Sequence, residues 1–125
     1  MKRTAKSQLD HDTLVKRVVE HLKRQGYRNI RADLPGYPQP EMIEGTQQDH
    51  IPDVTADGVT ADDVIVEVET ADSITSDHTA SQFYLFAAYA NNSDMEFWVV
   101  VPEGVRAAAD RRLSELGISA KVYTA

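Results

Sequence analysis

The chain has 125 residues, 42% of them hydrophobic, which is enough for one domain with its own core. It contains no cysteine, so disulfides, thiol catalysis and cysteine-based zinc sites are excluded. No apolar run approaches the roughly 20 residues that cross a bilayer, and the N-terminus lacks the apolar core of a signal peptide. We therefore expect a cytoplasmic protein without membrane contacts.

The net charge of −7 is unevenly distributed along the chain. Residues 32–105 hold fifteen Asp and Glu but no Lys or Arg, whereas both ends are basic. An acidic chain disfavours strong non-specific DNA binding, so cations near the N-terminus or a partner subunit would have to contact phosphates. Singly, most of these cations are expected on a solvated helix face or in a frayed tail. They are Lys2, Arg3, Lys6, Lys16, Arg17, Lys23, Arg24, Arg28 and Arg31.

The N-terminal region is predicted to contain a tail and a helix. Residues 1–9 are expected to be a flexible basic tail, and residues 10–125 to form a single domain. Asp10 or Asp12 offers an N-cap for the first helix, which Gly26 ends. The apolar stripe of this helix consists of Leu14, Val15, Val18, Val19 and Leu22.

His11 shares the apolar stripe of this helix and is expected to face the interior or a cleft, whereas Glu20 should face solvent. A histidine in the first helical turn lies at the positive end of the helix dipole, which favours its neutral form. His11 is therefore suited to accept a proton or to bind a metal-bound water. A plain capping or surface role is the alternative.

A strand over residues 27–32 is followed by a long loop over residues 33–49, which contains three prolines and two glycines. Loops of this length are usually lids, binding loops or partner contacts, although simple mobility fits equally well. His50 follows the loop and is expected on the rim of the site described next, in a structural role.

Two further strands are predicted to form a β-hairpin. Residues 63–69 alternate, with three valines on one face and Ile65, Glu67 and Glu69 on the other, which is typical of a half-buried strand. Residues 51–56 pair with them antiparallel and bring Asp53 close to Glu67. A divalent cation would supply the positive charge that the segment lacks, and oxygen ligands favour Mg, Mn or Ca over Zn.

The hairpin also carries a motif. Pro52-Asp53, thirteen intervening residues and Glu67-Val68-Glu69 resemble the signature of the PD-(D/E)xK nucleases, which include restriction-endonuclease-like and Holliday-junction-resolvase-like enzymes. The resemblance implies that Asp53, Glu67 and the carbonyl of Val68 bind Mg or Mn. Glu69 stands where the family usually has Lys. It would ligate a second metal or orient the attacking water, but it offers no positive charge.

The next helix is expected from capping residues within 72–76 to about Ala90. Residues 83–90 are apolar nearly all round, which predicts burial on more than one side or a subunit interface, and hence a homodimer. Members of the nuclease family carry a Gln on this helix near the active site, and Gln82 resembles it. The alternative is that Gln82 and His78 mark the solvated side of a core helix.

A strand over residues 96–101, a helix over 105–116 ended by Gly117, and a strand over 118–123 complete the chain. The strand before the 72–90 helix and the strand after it should be parallel. The order α-β-β-β-α-β-α-β resembles the restriction-endonuclease-like core, an α/β fold with a mixed central sheet flanked by helices. Residues 10–125 are therefore expected to be one nuclease-like domain.

The expected function is metal-dependent hydrolysis of phosphodiester bonds in nucleic acid, DNA rather than RNA. The candidate catalytic residues are His11, Asp53, Glu67, Glu69 and Gln82, and the candidate metal ligands are Asp53, Glu67, Val68 and Glu69. Three alternatives stay open. Glu67 and Glu69 are the solvated face of an ordinary strand, the protein is a non-catalytic dimeric module with a nuclease-like fold, or it is a phosphodiesterase for small substrates.

Overall fold

The structure, a computed structural model, describes residues 4–125. Over this range three helices and five strands follow the order α-β-β-β-α-β-α-β, as predicted. The elements are α1 (Ala5–Arg24), β1 (Arg28–Ala32), β2 (Val54–Asp57), β3 (Val64–Val68), α2 (Asp77–Asn92), β4 (Glu96–Val101), α3 (Arg106–Leu116) and β5 (Lys121–Thr124).

The strands form one mixed sheet in the order β1-β2-β3-β4-β5. The β1-β2 and β2-β3 pairs are antiparallel, so the predicted hairpin is confirmed. The β3-β4 and β4-β5 pairs are parallel because a helix connects the strands of each pair, as predicted for the first of them. The protein is thus an α/β fold with a mixed sheet between helices.

Helices cover both faces of the sheet. The valines of β3 pack in one cluster with the apolar stripe of α1, while Ile65 packs in a second cluster with residues of α2 and α3. Every residue of β3 is therefore buried, and the prediction of a half-buried strand was wrong. Strands covered on both faces are typical of parallel sheet regions flanked by helices.

The first helix begins earlier than predicted. Its N-cap is Thr4, whose side chain accepts a hydrogen bond from the amide of Ser7, and neither Asp10 nor Asp12 caps it. A threonine oxygen can satisfy a free amide of the first turn, and the next residues contain no Gly or Pro that would delay the helix. Residues 5–9 of the predicted tail are therefore helical, and residues 1–3 lie outside the described residues.

The C-terminal part follows the prediction closely. Gly117 ends α3 in the left-handed conformation, with φ of 68°, and the amide of Ile118 bonds back to the carbonyl of Leu113. Because Ile118 belongs to this helix cap, the last strand begins at Lys121 and not at residue 118.

The second helix is buried on one side only. Phe83, Phe86 and Ala90 face the core, whereas Tyr84 is 51% exposed and Tyr89 is 44% exposed. The subunit interface predicted from this apolar segment thus stays a prediction. Among residues 4–125, no helix combines the length and the apolar character needed to cross a membrane.

Candidate active site

A pocket of about 230 Å³ lies beside the C-terminal end of β3, between the N-terminal parts of α1 and α2. All the side chains predicted to be catalytic line this acidic pocket: His11, Asp53, Glu67, Glu69 and Gln82. The register explains part of this convergence. Val54 pairs with Val66 in the antiparallel hairpin, which brings Asp53 opposite Glu67.

Asp53 and Glu67 are interlocked through the backbone. The amide of Asp53 donates a hydrogen bond to Oε1 of Glu67 over 2.9 Å, and the amide of Val68 donates to Oδ2 of Asp53 over 2.8 Å. Each carboxylate thus accepts a bond from the strand that carries the other one. This arrangement fixes the orientation of both groups, as a binding or catalytic site requires.

His11 contacts the same carboxylate. Its Nε2 lies 3.2 Å from Oδ2 of Asp53 and its Nδ1 lies 3.3 Å from Oδ1 of Asp12. The side chain is buried, as predicted, so a surface or capping role was the wrong alternative. Because α1 begins at Ala5, His11 lies beyond the first turn, and the predicted effect of the helix dipole does not reach it.

Glu69 contacts the turn that precedes α2. Its Oε2 accepts hydrogen bonds from Oγ of Ser73 and, at 3.3 Å, from Oγ1 of Thr79, which also contacts the carbonyl of Ser73 at 2.8 Å. At the position where the resemblance expects Lys, the protein thus has a carboxylate bound by hydroxyl groups. Such a carboxylate is held in one orientation and can accept a proton.

Burial decides between two interpretations of the acidic strand. Glu67 is 1% exposed and Glu69 is 2% exposed, so the solvated-strand alternative was wrong. No Lys or Arg of the described chain lines the pocket. Burying a carboxylate costs on the order of several kcal/mol, and proteins retain such unfavourable features mainly at functional sites. The burial of Glu67 and Glu69 is therefore the strongest sign of function in the described structure.

The predicted metal site can be compared with the oxygen atoms that the pocket residues offer. Within residues 4–125, no three or more His, Asp or Glu side chains form a group that could hold an ion. The ligand set implied by the resemblance is different, because it contains two carboxylates and one backbone carbonyl. The amide of Val68 faces Asp53, and the carbonyl of a strand residue faces the same neighbour as its amide. Carboxylate and carbonyl oxygens are the ligand types that hard cations prefer.

Several pocket residues escaped the sequence analysis. Asp33 follows β1, and its amide donates to the carbonyl of Asp53 over 2.9 Å, which holds the start of the long loop at the site. The position of Asp33 directly after a predicted strand could have identified it as a pocket residue from the sequence. The others are polar side chains from the first turns of α1 and from the region around the start of α2, namely Gln8, Ser73, Ser76 and Thr79. His78 also lines the pocket, although it was predicted only as a residue of the solvated side of the helix.

His50 does not line the pocket, so its predicted place on the rim was wrong. It is 5% exposed, its Nε2 lies 2.9 Å from Oγ of Ser81, and its ring packs edge-on against His78 and Phe86. Burial lowers the pKa of His50, and the nearby His78 lowers it further. The residue attaches the end of the long loop to α2.

Comparison with protein-family models, with curated proteins and with solved structures finds no match for this chain.

Proposed function

We propose that this protein is a metal-dependent phosphodiester hydrolase with a restriction-endonuclease-like core, and that its substrate is nucleic acid, DNA in the first place. The observation that carries the proposal is the buried, interlocked pair Asp53 and Glu67, with Glu69 behind it. The antiparallel hairpin and the parallel crossover through α2 support it, because they place all three carboxylates and Gln82 at one pocket.

In this proposal, Asp53, Glu67 and the carbonyl of Val68 would hold one Mg or Mn ion. A bound ion of this kind supplies the positive charge that residues 32–105 lack, polarises the phosphate and favours hydroxide at neutral pH. His11 holds the carboxylate of Asp53 in place through its Nε2.

Glu69 orients the attacking water and accepts its proton, or ligates a second ion. Its bonds from Ser73 and Thr79 keep the carboxylate in one orientation. Gln82 lines the same pocket and can offer its amide to the water or to the phosphate.

A phosphodiesterase for small substrates is the second candidate function. The pocket measures only about 230 Å³, and no described Lys or Arg lines it to attract a long phosphate backbone. Substrate length distinguishes the two candidates, since both need the same carboxylates.

The test combines binding and cleavage. Mn binding is measured by calorimetry on the wild type, on Asp53→Asn and Glu67→Gln, and on Glu115→Gln, a control that changes an exposed glutamate of α3. Cleavage is assayed on single-stranded, duplex and branched DNA and on bis(4-nitrophenyl) phosphate.

Binding that is lost only in the two pocket variants, together with DNA cleavage, would support the nuclease. Hydrolysis of the small ester alone would support the second candidate. Absence of Mn binding in the wild type would overturn both and favour the non-catalytic module.

We also propose that the protein forms a homodimer through the exposed side of α2, where Tyr84 and Tyr89 leave apolar surface in contact with water. Light scattering coupled to size exclusion should give twice the monomer mass for the wild type and the monomer mass for Tyr84→Lys. A monomeric wild type at every concentration would contradict the proposal.

A further inference from the structure

A second and larger cavity, of about 620 Å³, lies on the other side of α1, between this helix and the strands β4 and β5. We call it the α1 groove. Its floor is apolar and consists of Val18, Trp98, Val100 and Tyr123. It shares no lining residue with the acidic pocket, so it is a separate feature of the described chain.

The groove exists because one helix cannot cover the whole face of a five-stranded sheet. The contacts of α1 are concentrated on β1, β2 and β3, while α2 and α3 pack against the opposite face. On the α1 face, β4 presents Trp98 and Val100, and β5 presents Tyr123 beside Val100. Tyr123 is 43% exposed, so part of this floor is open to solvent.

The wall of the groove carries positive charge. Lys16, Arg17 and Arg24 line it from one side of α1, and all three are exposed. Within residues 4–125, none of them takes part in a salt bridge. One acid, Glu20, lines the groove together with these cations, and it lies 3.4 Å from Lys23, which is outside the groove.

A groove lined by three cations and one acidic side chain is unusual on a protein of net charge −7. Together with the apolar floor, these cations match one chemical class of ligand. We propose that the α1 groove binds a small organic anion with an apolar or aromatic body and a carboxylate, phosphate or sulfonate group.

Each part of the groove has a role in this assignment. The body of the ligand would lie mainly on Tyr123, beside Trp98, and burial of its apolar area would drive binding. The acidic group would be bound by Arg17 and Arg24, whose guanidinium groups suit planar oxyanions, with Lys16 as a further charge. The volume lies within the usual range for small-ligand sites, roughly 300–1,000 Å³.

Single-stranded nucleic acid fits this groove less well. Binding of this kind uses successive bases stacked on exposed aromatic rings. The groove offers mainly Tyr123 for stacking, because Trp98 is only 7% exposed. The acidic remainder of the chain would also repel a long phosphate backbone.

The single tryptophan of the chain is itself a reporter, because Trp98 forms part of the floor. The experiment titrates the protein with 1-anilinonaphthalene-8-sulfonate and with its uncharged relative N-phenyl-1-naphthylamine, and follows energy transfer from Trp98. Amide chemical shifts in the nitrogen–proton NMR spectrum locate the bound probe. Lys16→Gln/Arg17→Gln is the test variant, and Lys6→Gln on the exposed side of α1 is the control.

The proposal predicts that the anionic probe binds more tightly than the uncharged one, with shifts confined to α1, β4 and β5. Removal of two charges from the groove should lower the affinity for the anionic probe by roughly tenfold or more. Lys6→Gln should leave this affinity unchanged. Three outcomes would overturn the proposal. They are an equal affinity of the anionic probe for the double variant and the wild type, chemical-shift changes on the exposed side of α2, and tighter binding of oligothymidine than of the anionic probe.

Discussion

The amide nitrogen of Asp53 lies 2.9 Å from Oε1 of Glu67, and the amide of Val68 closes the reciprocal bond to Oδ2 of Asp53 at 2.8 Å. The two acids are thus oriented by backbone amides, and His11 also contacts the carboxylate of Asp53. Hydrogen bonds to backbone amides stabilise a carboxylate but do not neutralise it. In the proposed function this pair binds a divalent cation, and the first prediction follows from this proposal.

Glu67→Gln should change the free energy of unfolding by less than about 1 kcal/mol, because the amide oxygen of glutamine can accept the bond from Asp53 that the carboxylate accepts. The same variant should lose Mn binding. Urea denaturation measures the stability, with Glu115→Gln as the exposed control, which should change it by less than about 0.5 kcal/mol. A clear loss of stability in Glu67→Gln would show that the carboxylate makes a contact that the amide cannot replace.

Neighbouring aromatic residues on α2 should differ sharply in their contribution to stability. Phe83 is fully buried in the cluster formed with α3 and β4, so Phe83→Ala should lower the free energy of unfolding by about 3–5 kcal/mol. Tyr84 is 51% exposed, and Tyr84→Ala should cost less than about 0.5 kcal/mol in the monomer. Chemical denaturation at low protein concentration separates the two. A similar cost for both would mean that the outer side of α2 is also packed.

Stability should fall as the pH decreases from neutral toward 5, in part because of His50. Burial lowers the pKa of this histidine below its ordinary value of 6.5, so the unfolded chain takes up a proton in a range where the folded protein does not. The contribution of neutral His50 to the free energy of unfolding is therefore complete above pH 6.5 and is lost progressively as the pH falls below that value.

The check on His50 is the urea midpoint at neutral and at mildly acidic pH for the wild type and for His50→Gln. Glutamine can keep a bond to Ser81 without titrating. The decrease in the midpoint should be smaller in the variant. An equal decrease in both proteins would assign the pH dependence to other groups.

Gly117→Ala should lower the free energy of unfolding by about 1–2 kcal/mol, because alanine must adopt the left-handed conformation at φ of 68°. No atom would contact the new methyl group within 4 Å, so the cost comes from the backbone alone. Ser114→Ala, at an exposed position of the same helix, is the matched control and should stabilise or change little. Thermal unfolding of both variants measures the difference. An unchanged Gly117→Ala protein would mean that the helix end rearranges.

Features that depend on local periodicity were predictable. The alternation in β3 separated its valines from Glu67 and Glu69, and the apolar stripe of α1 placed His11 inside. Gly117 predicted the end of α3 because few other residues tolerate its backbone conformation. The spacing of Asp53 and Glu67 also predicted that the two acids meet, since a hairpin has few possible registers.

By itself, then, the sequence determined the order of the elements, the antiparallel hairpin that brings Asp53 to Glu67, and five of the side chains that line the acidic pocket. Only the tertiary structure decided that Glu67 and Glu69 are buried, that Asp33 joins them, and that α1 leaves a basic groove over β4 and β5. The physical reason is that periodicity tells which face of an element a residue occupies. It does not tell what covers that face, because coverage depends on segments that are distant in sequence, such as the turn before α2.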